Sequence, residues 1–364
     1  MRGVQVKQTP GLVPCCLTAF WPERSAESVN AEPLNSARWA AVKAGAFHEA
    51  WFVAASDPKA GHGLWLRYGV DLKAGKPAGT LWASWFDRDA PARTFALGDH
   101  GEPAAIGRGE AVHLGNAWLS SESCSGAVEA GGHAIGWRLS FGGGAPAEDA
   151  VPLWMSPIAR LRGSGYVLPH PATTVSGAVE VDGRIAELHQ VPAMQGHLWG
   201  RSRWPAWAWA RCSAFAEEPD ASIDLLDAQG PAGVRFPMFT FRFRGSVHRF
   251  ADLPWLPLTS SRPAPPAWHF SAQDARLAID GAVRAELDQM VQVQYAEPDR
   301  PMLHCTHTAI ASMEVRVRSR AFPGATWRPE ATLSAASGSS LEFCGPEWDR
   351  RVNRIMLSAG SVAS

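Results

Sequence analysis

Ala206-Trp207-Ala208-Trp209-Ala210-Arg211-Cys212-Ser213-Ala214-Phe215 alternates with period two, as a β-strand does. One face reads Trp207, Trp209, Arg211, Ser213 and Phe215; the other reads Ala206, Ala208, Ala210, Cys212 and Ala214. A half-buried strand ordinarily sets apolar residues against charged ones. Here bulky aromatics and a guanidinium share one face, and small residues share the other. The small face suits close packing on another layer. The large face suits either the wall of a cavity for something flat, apolar or cationic, or a tryptophan-rich core from which Arg211 snorkels to solvent.

The rest of the chain carries the same β character. Among 364 residues there are 17 Trp and 15 Phe against only 3 Tyr, with 34 Gly and 28 Pro. That composition, without long Ala/Leu/Glu/Lys stretches, predicts many short strands and turns. The length allows one large β domain or two of ordinary size. A net charge of -1 with 19% charged residues leaves no electrostatic footprint for nucleic acid. No apolar run is long enough to span a bilayer, and the Leu12 to Phe20 stretch contains Pro14 and lacks a cleavage site for a signal peptide. The six cysteines (15, 16, 124, 212, 305 and 344) form no CxxC or zinc spacing. A cytoplasmic protein with reduced thiols is the expectation.

Taken in order, residues 1–40 are an irregular, proline-broken segment. Phe47 to Val53, Leu64 to Val70 and Thr80 to Phe86 read as strands of a first β unit over 41–150, a meander sheet or barrel. A proline-studded connection over 151–172 leads to a second β unit over 173–345, followed by a tail over 346–364. Asp182-Gly183 and Asp280-Gly281 read as tight turns, the first of type I′. Pro254 to Pro266 reads as a surface loop or lid.

No HExxH, GxSxG, P-loop or dinucleotide fingerprint occurs, so no cofactor or metal is called for. His304 and His307 lie three residues apart in a strand, on opposite faces, and do not share an ion. In the first strand Phe47, Glu49 and Trp51 share a face. A carboxylate among aromatics is either a general acid with a raised pKa or half of a structural pair with Arg67, two positions from Trp65. His197, just before Trp199-Gly200, is the best-placed proton carrier near neutral pH, or else a satisfied structural histidine.

The order Trp207, Trp209, Cys212, Phe215 after Trp199-Gly200 resembles the W-x-W-x-x-C-x-x-F strand of tocopherol cyclases, which also follows a W-G pair. Phe47-His48-Glu49-Ala50-Trp51-Phe52 resembles the F-x-E-x-W-[YF] segment near the start of the same proteins. Together they resemble the superfamily of tocopherol cyclase, carotenoid 1,2-hydratase and AttH-like, lipocalin-type proteins. The resemblance implies an all-β fold of two lipocalin-like antiparallel barrels packed together, with a hydrophobic small molecule bound in or between them. It also implies protonation of an isoprenoid or polyene without a redox cofactor. Indole faces stabilise the carbocation that results. Glu49 and His197 are then the candidate acids. Trp51, Trp65, Trp199, Trp207 and Trp209 line the substrate site, with Arg67 and Arg211 beside them, Arg211 holding a polar head group. Glu49 is the only acid matched by motif, and no carboxylate precedes Trp199-Gly200. A non-catalytic carrier of a hydrophobic molecule is the competing reading.

Overall fold

The structure, a computed structural model, describes residues 34–104, 110–295, 302–352 and 355–357. Most of the irregular N-terminal segment, with Cys15, Cys16 and Leu12 to Phe20, lies outside the described residues, as does most of the tail.

The alternating aromatic and β-branched runs pair into two antiparallel sheets, 13-stranded and 10-stranded. The first opens with the short parallel strand Ile355–Leu357, then runs Phe95–Gly101, Lys76–Asp87, His62–Lys73, Phe47–Asp57 and Arg184–Gly200. It continues through Gly165–Val181, His133–Phe141, Ser123–Ala130, Ala117–Ser120, Glu110–Leu114 and Pro103–Ala104. Phe95–Gly101 lies against Ser123–Ala130, so this sheet curls almost closed. The second runs Ser246–Arg249, Arg235–Phe243, Ser222–Gln229, Ala206–Cys212, Arg328–Gly345, Leu303–Ser319, Leu277–Arg284, Ala267–Gln273 and Ser260–Ala264, with Val291–Tyr295 paired to Leu303–Ser319 off this path, as Glu148–Asp149 is paired to Gly165–Val181 in the first. The fold is therefore the expected pair of lipocalin-like β units.

Side chains fill both interiors. Trp51, Tyr68, Trp85 and Trp137 pack inside the first unit. Phe239, Phe241, Phe250, Trp268 and Phe270 pack inside the second, against Ala208, Ala210 and Cys212. A third cluster fills the layer between the units, where Ala54, Trp65, Trp82, Phe86 and Met194 meet Trp209, Val291, Tyr295 and Ile310. The small face of the Ala206–Cys212 strand thus looks into its own barrel, and its large face packs on the neighbouring one.

Several expectations are met or corrected here. Asp182 (φ 49°) and Gly183 (φ 74°) make the type I′ turn between Val181 and Arg184. The two strands that this turn joins insert between Phe47–Asp57 and His133–Phe141, so residues 165–200 belong to the first sheet rather than to the second. The chain changes sheets at 201–205, where Pro205 has no N–H to continue a ladder. Asp280-Gly281 is not a turn but lies within the strand Leu277–Arg284. A Cβ on Gly281 would stand 2.3 Å from the Glu314 carbonyl oxygen and 2.8 Å from the Phe270 ring, so glycine is required by close approach. Five of the thirteen residues of Pro254 to Pro266 form the edge strand Ser260–Ala264, which tolerates Pro263 because its outer side pairs with no strand among the described residues.

Candidate active site

The nine residues singled out by sequence fall into two places. Glu49, Trp51, His197 and Trp199 come together on the interior face of the first barrel, where Trp51 opposes His197 and Glu49 opposes Trp199 in the register. Trp65, Arg67, Trp207, Trp209 and Arg211 lie in the layer between the barrels. Strand alternation separates the two sets: Glu49 and Trp51 face inward, and Phe52 between the strands' next pairs faces the layer. Arg67 opposes Phe52 and sits over the Tyr295 ring at 4.3 Å, so the expected Glu49–Arg67 pair does not form.

Glu49 is instead the centre of an enclosed knot. His197 Nε2 lies 2.8 Å from Glu49 Oε1, and the backbone N–H groups of Arg38 and Trp39 donate to the same carboxyl at 2.7–3.0 Å. His197 Nδ1 donates to the Leu34 carbonyl at 2.7 Å, and the imidazole stacks on Trp51 with 4.5 Å between centroids. The Glu49 and His197 side chains are both 0% exposed. Arg38 caps the arrangement over the Trp199 ring at 3.9 Å. Residues 34–39 thus cover every polar atom of the pair. Substrate reaches it only if that segment moves.

The layer between the barrels is polar at two points. At the first, Trp209 donates its indole N–H to Asp224 Oδ2 at 3.1 Å. Asp224 opposes Arg211 in the register and shares its face, and the Arg242–Glu148 pair stands beside it. Burial pushes Asp224 up to about 6, offset by the Trp209 bond and by the charges of Arg211 and Arg242, and reinforced by Glu148. Tyr166 is half-buried and stacks on Phe52 at 6.4 Å, and Phe52 meets Trp209 edge-on at 5.7 Å. The Tyr166 hydroxyl lies beside the Trp209 N–H but closes no hydrogen bond, because that N–H points at Asp224. Arg211 is buried rather than snorkelling. Its Nη2 donates to the carbonyls of Pro171 and Ala193, which staples the two sheets together. Burial lowers its pKa to about 10, so the charge is retained at neutral pH.

At the second point Trp207 donates to Glu342 Oε1 at 2.5 Å, next to Cys305 and His307. Trp65 lies 4.4 Å from the His307 ring. His304 faces the other way, towards Trp348, as the alternation predicts. Asp224, Tyr166 and Glu342 were not singled out by sequence. The available signal was a lone carboxylate inside an apolar strand, at Ile223-Asp224-Leu225 and at Leu341-Glu342-Phe343.

The buried carboxyl has a consequence for stability. Folding raises the Asp224 pKa from 3.8 to about 6, so its favourable contribution is complete below 3.8 and is lost as pH climbs through about 6. The loss amounts to about 3 kcal/mol. Urea unfolding of the wild type and Asp224→Asn across this range is expected to show the variant gaining relative stability as pH rises. Parallel profiles would refute the assignment.

Residues 166–344 match the family described as Tocopherol cyclase-like. The match contains Tyr166, Trp207, Trp209, Arg211, Asp224 and Glu342 but starts after the Phe47 to Phe52 segment. No curated protein sequence matches the chain. A Nitrosomonas europaea crystal structure described as AttH superposes with a TM-score of 0.56 at 11% identity, covering 82% of this chain and 92% of its own. Kievitone hydratase from Nectria haematococca superposes with a TM-score of 0.50 at 9% identity, covering 83% of this chain and 88% of its own. At such identities the likeness is one of fold. No helix of the described residues is long and apolar enough to cross a membrane. Over residues 166–344, then, the protein carries a tocopherol cyclase-like region, set in a two-barrel scaffold similar to those of the AttH and kievitone hydratase structures.

Proposed function

We propose that the protein is a cofactor-independent cyclase or hydratase for a hydrophobic isoprenoid or polyene, with the layer between the barrels as its active site. The observation that carries this reading is Asp224: a buried carboxyl, pushed up to about 6, one indole N–H from an aromatic layer. The neutral carboxyl passes its proton to an alkene carbon, leaving a carboxylate and a carbocation. Trp209 N–H and Arg211 stabilise the carboxylate. The faces of Trp209, Phe52 and Tyr166 stabilise the cation. An internal hydroxyl closes the ring in a cyclase, or water adds in a hydratase, and the proton of that oxygen returns to Asp224. Half-buried Phe52 and Tyr166 form the rim through which an apolar chain enters. The free thiols of Cys124, Cys212, Cys305 and Cys344 suit the reducing cytoplasm.

Incubation in D2O with prenylated quinols and acyclic carotenoids, followed by mass spectrometry, tests the proposal. The expected product carries one solvent deuteron on a former alkene carbon. Recovery of every bound compound unchanged and unlabelled would favour a carrier. A second reading keeps Glu49 and His197 as the acid, because they form a ready carboxyl–imidazole pair at 2.8 Å. It requires residues 34–39 to leave the pair during turnover.

A further inference from the structure

The geometry points to a binding site for a divalent, zinc-type ion formed by Cys305, His307 and Glu342 in the layer between the barrels. The residues come from two adjacent strands. His307 opposes Glu342 in the register, and Cys305 lies two residues along on the same face. One donor atom from each residue lies within 4.8 Å of the other two. Tetrahedral coordination with bonds of about 2.0–2.3 Å sets donor atoms roughly 3.3–3.8 Å apart, so closure needs side-chain shifts of about 1 Å. All three residues are buried, at 0%, 1% and 7% exposure.

Two further observations separate this cluster from an ordinary polar contact. His307 Nδ1 is buried and has no well-formed hydrogen bond, only a poorly aligned approach to the Cys305 backbone, although its Nε2 meets Ser84 Oγ at 3.1 Å. An imidazole nitrogen left bare in a protein interior is costly unless something fills it. Moreover, the outer shell is already in place. Ser84 orients the imidazole and Trp207 orients the carboxylate, as partners of metal ligands do. Thiolate, imidazole and carboxylate together are a zinc-type donor set, and three protein ligands leave the fourth position to a water. Arg67, stacked on Tyr295 and acting on Glu342, competes for the carboxylate, and Arg203 stands over the same ring at 5.9 Å. A thiolate and a carboxylate balance the ion, which displaces the Cys305 proton on binding.

The inference does not depend on Asp224 being the proton donor, and its test does not read activity. Co2+ is titrated into the full-length protein under a phosphine reductant, since Cys344 opposes Cys305 across the strand pair. One equivalent is expected to produce a thiolate-to-cobalt charge-transfer band in the near ultraviolet and visible bands of tetrahedral strength. Zn2+ is expected to displace the cobalt. Cys305→Ser is expected to abolish the charge-transfer band, and His307→Ala to weaken binding at least ten-fold, with circular dichroism confirming that each variant is folded. Ser84→Ala, which touches only the second nitrogen of His307, is expected to weaken binding several-fold and serves if a ligand variant does not fold. No saturable uptake by the wild type, or unchanged cobalt spectra and affinity in folded Cys305→Ser and His307→Ala, would overturn the proposal.

Discussion

Asp224→Asn is expected to lower turnover by about 10²–10⁴-fold while leaving the fold intact. That range is what a positioned general acid contributes. Asparagine keeps the shape of the side chain and an oxygen to accept the Trp209 N–H, so the neighbouring indole stays where it is. What disappears is the transferable proton. The pH dependence separates this from a packing effect. A group titrating near 6 donates while protonated, so wild-type turnover is expected to fall as pH rises through about 6. The groups that face Asp224 are Arg211, Arg242, Glu148 and Tyr166, and of these the arginines hold the apparent value down while Glu148 raises it. Steady-state kinetics on any compound that acquires solvent deuterium provides the measurement. A variant that retains wild-type kcat, or a wild-type profile flat between about pH 5 and 8, would remove Asp224 from the chemistry.

Glu49→Gln is expected to act on stability instead, with a loss of about 3–5 kcal/mol, the cost of breaking a buried and fully bonded pair. The carboxyl accepts from the Arg38 and Trp39 N–H groups and shares a hydrogen bond with His197 Nε2. An amide presents one oxygen and one NH2 to the same three groups. The amide replaces one accepting oxygen with an NH2 and ends the carboxyl–imidazole pairing in a site with no exposure, which weakens the anchor of segment 34–39. Trp51 is affected as well, because its N–H donates to the Asn35 carbonyl in the same segment. Equilibrium unfolding in urea measures the loss. A change below about 1 kcal/mol would mean that the knot is not structural. Full folded stability combined with lost deuterium transfer would instead move the acid from Asp224 to the Glu49–His197 pair. The two variants therefore discriminate between the two proton donors.

The identity of the elements was largely readable from local pattern. Alternation at Ala206 to Phe215 marks a strand with unequal faces, and Asp182-Gly183 marks a turn whose residues tolerate positive φ. Asp280-Gly281 shows the limit of such reading. The same dipeptide sits in mid-strand, because a glycine demanded by a neighbour's close approach looks the same as one demanded by a turn. The site was less legible. Glu49 and Trp51 stood out because aromatics flank a carboxylate, yet the residues that enclose them, Leu34 to Trp39, carry no motif.

Sequence alone thus determined that this is an all-β protein and that its strands have an aromatic and a small face, with the four described cysteines free as expected. These are consequences of side-chain alternation and composition, which are local. Only the tertiary structure decided which barrel each face belongs to. It assigned residues 165–200 to the first sheet and put the large face of Ala206–Cys212 between the barrels. It also brought Asp224 to Trp209 and Tyr166, and Cys305 and His307 to Glu342. Pairing register and barrel packing set those meetings, and a period of two reveals which way a side chain points but not what stands opposite it.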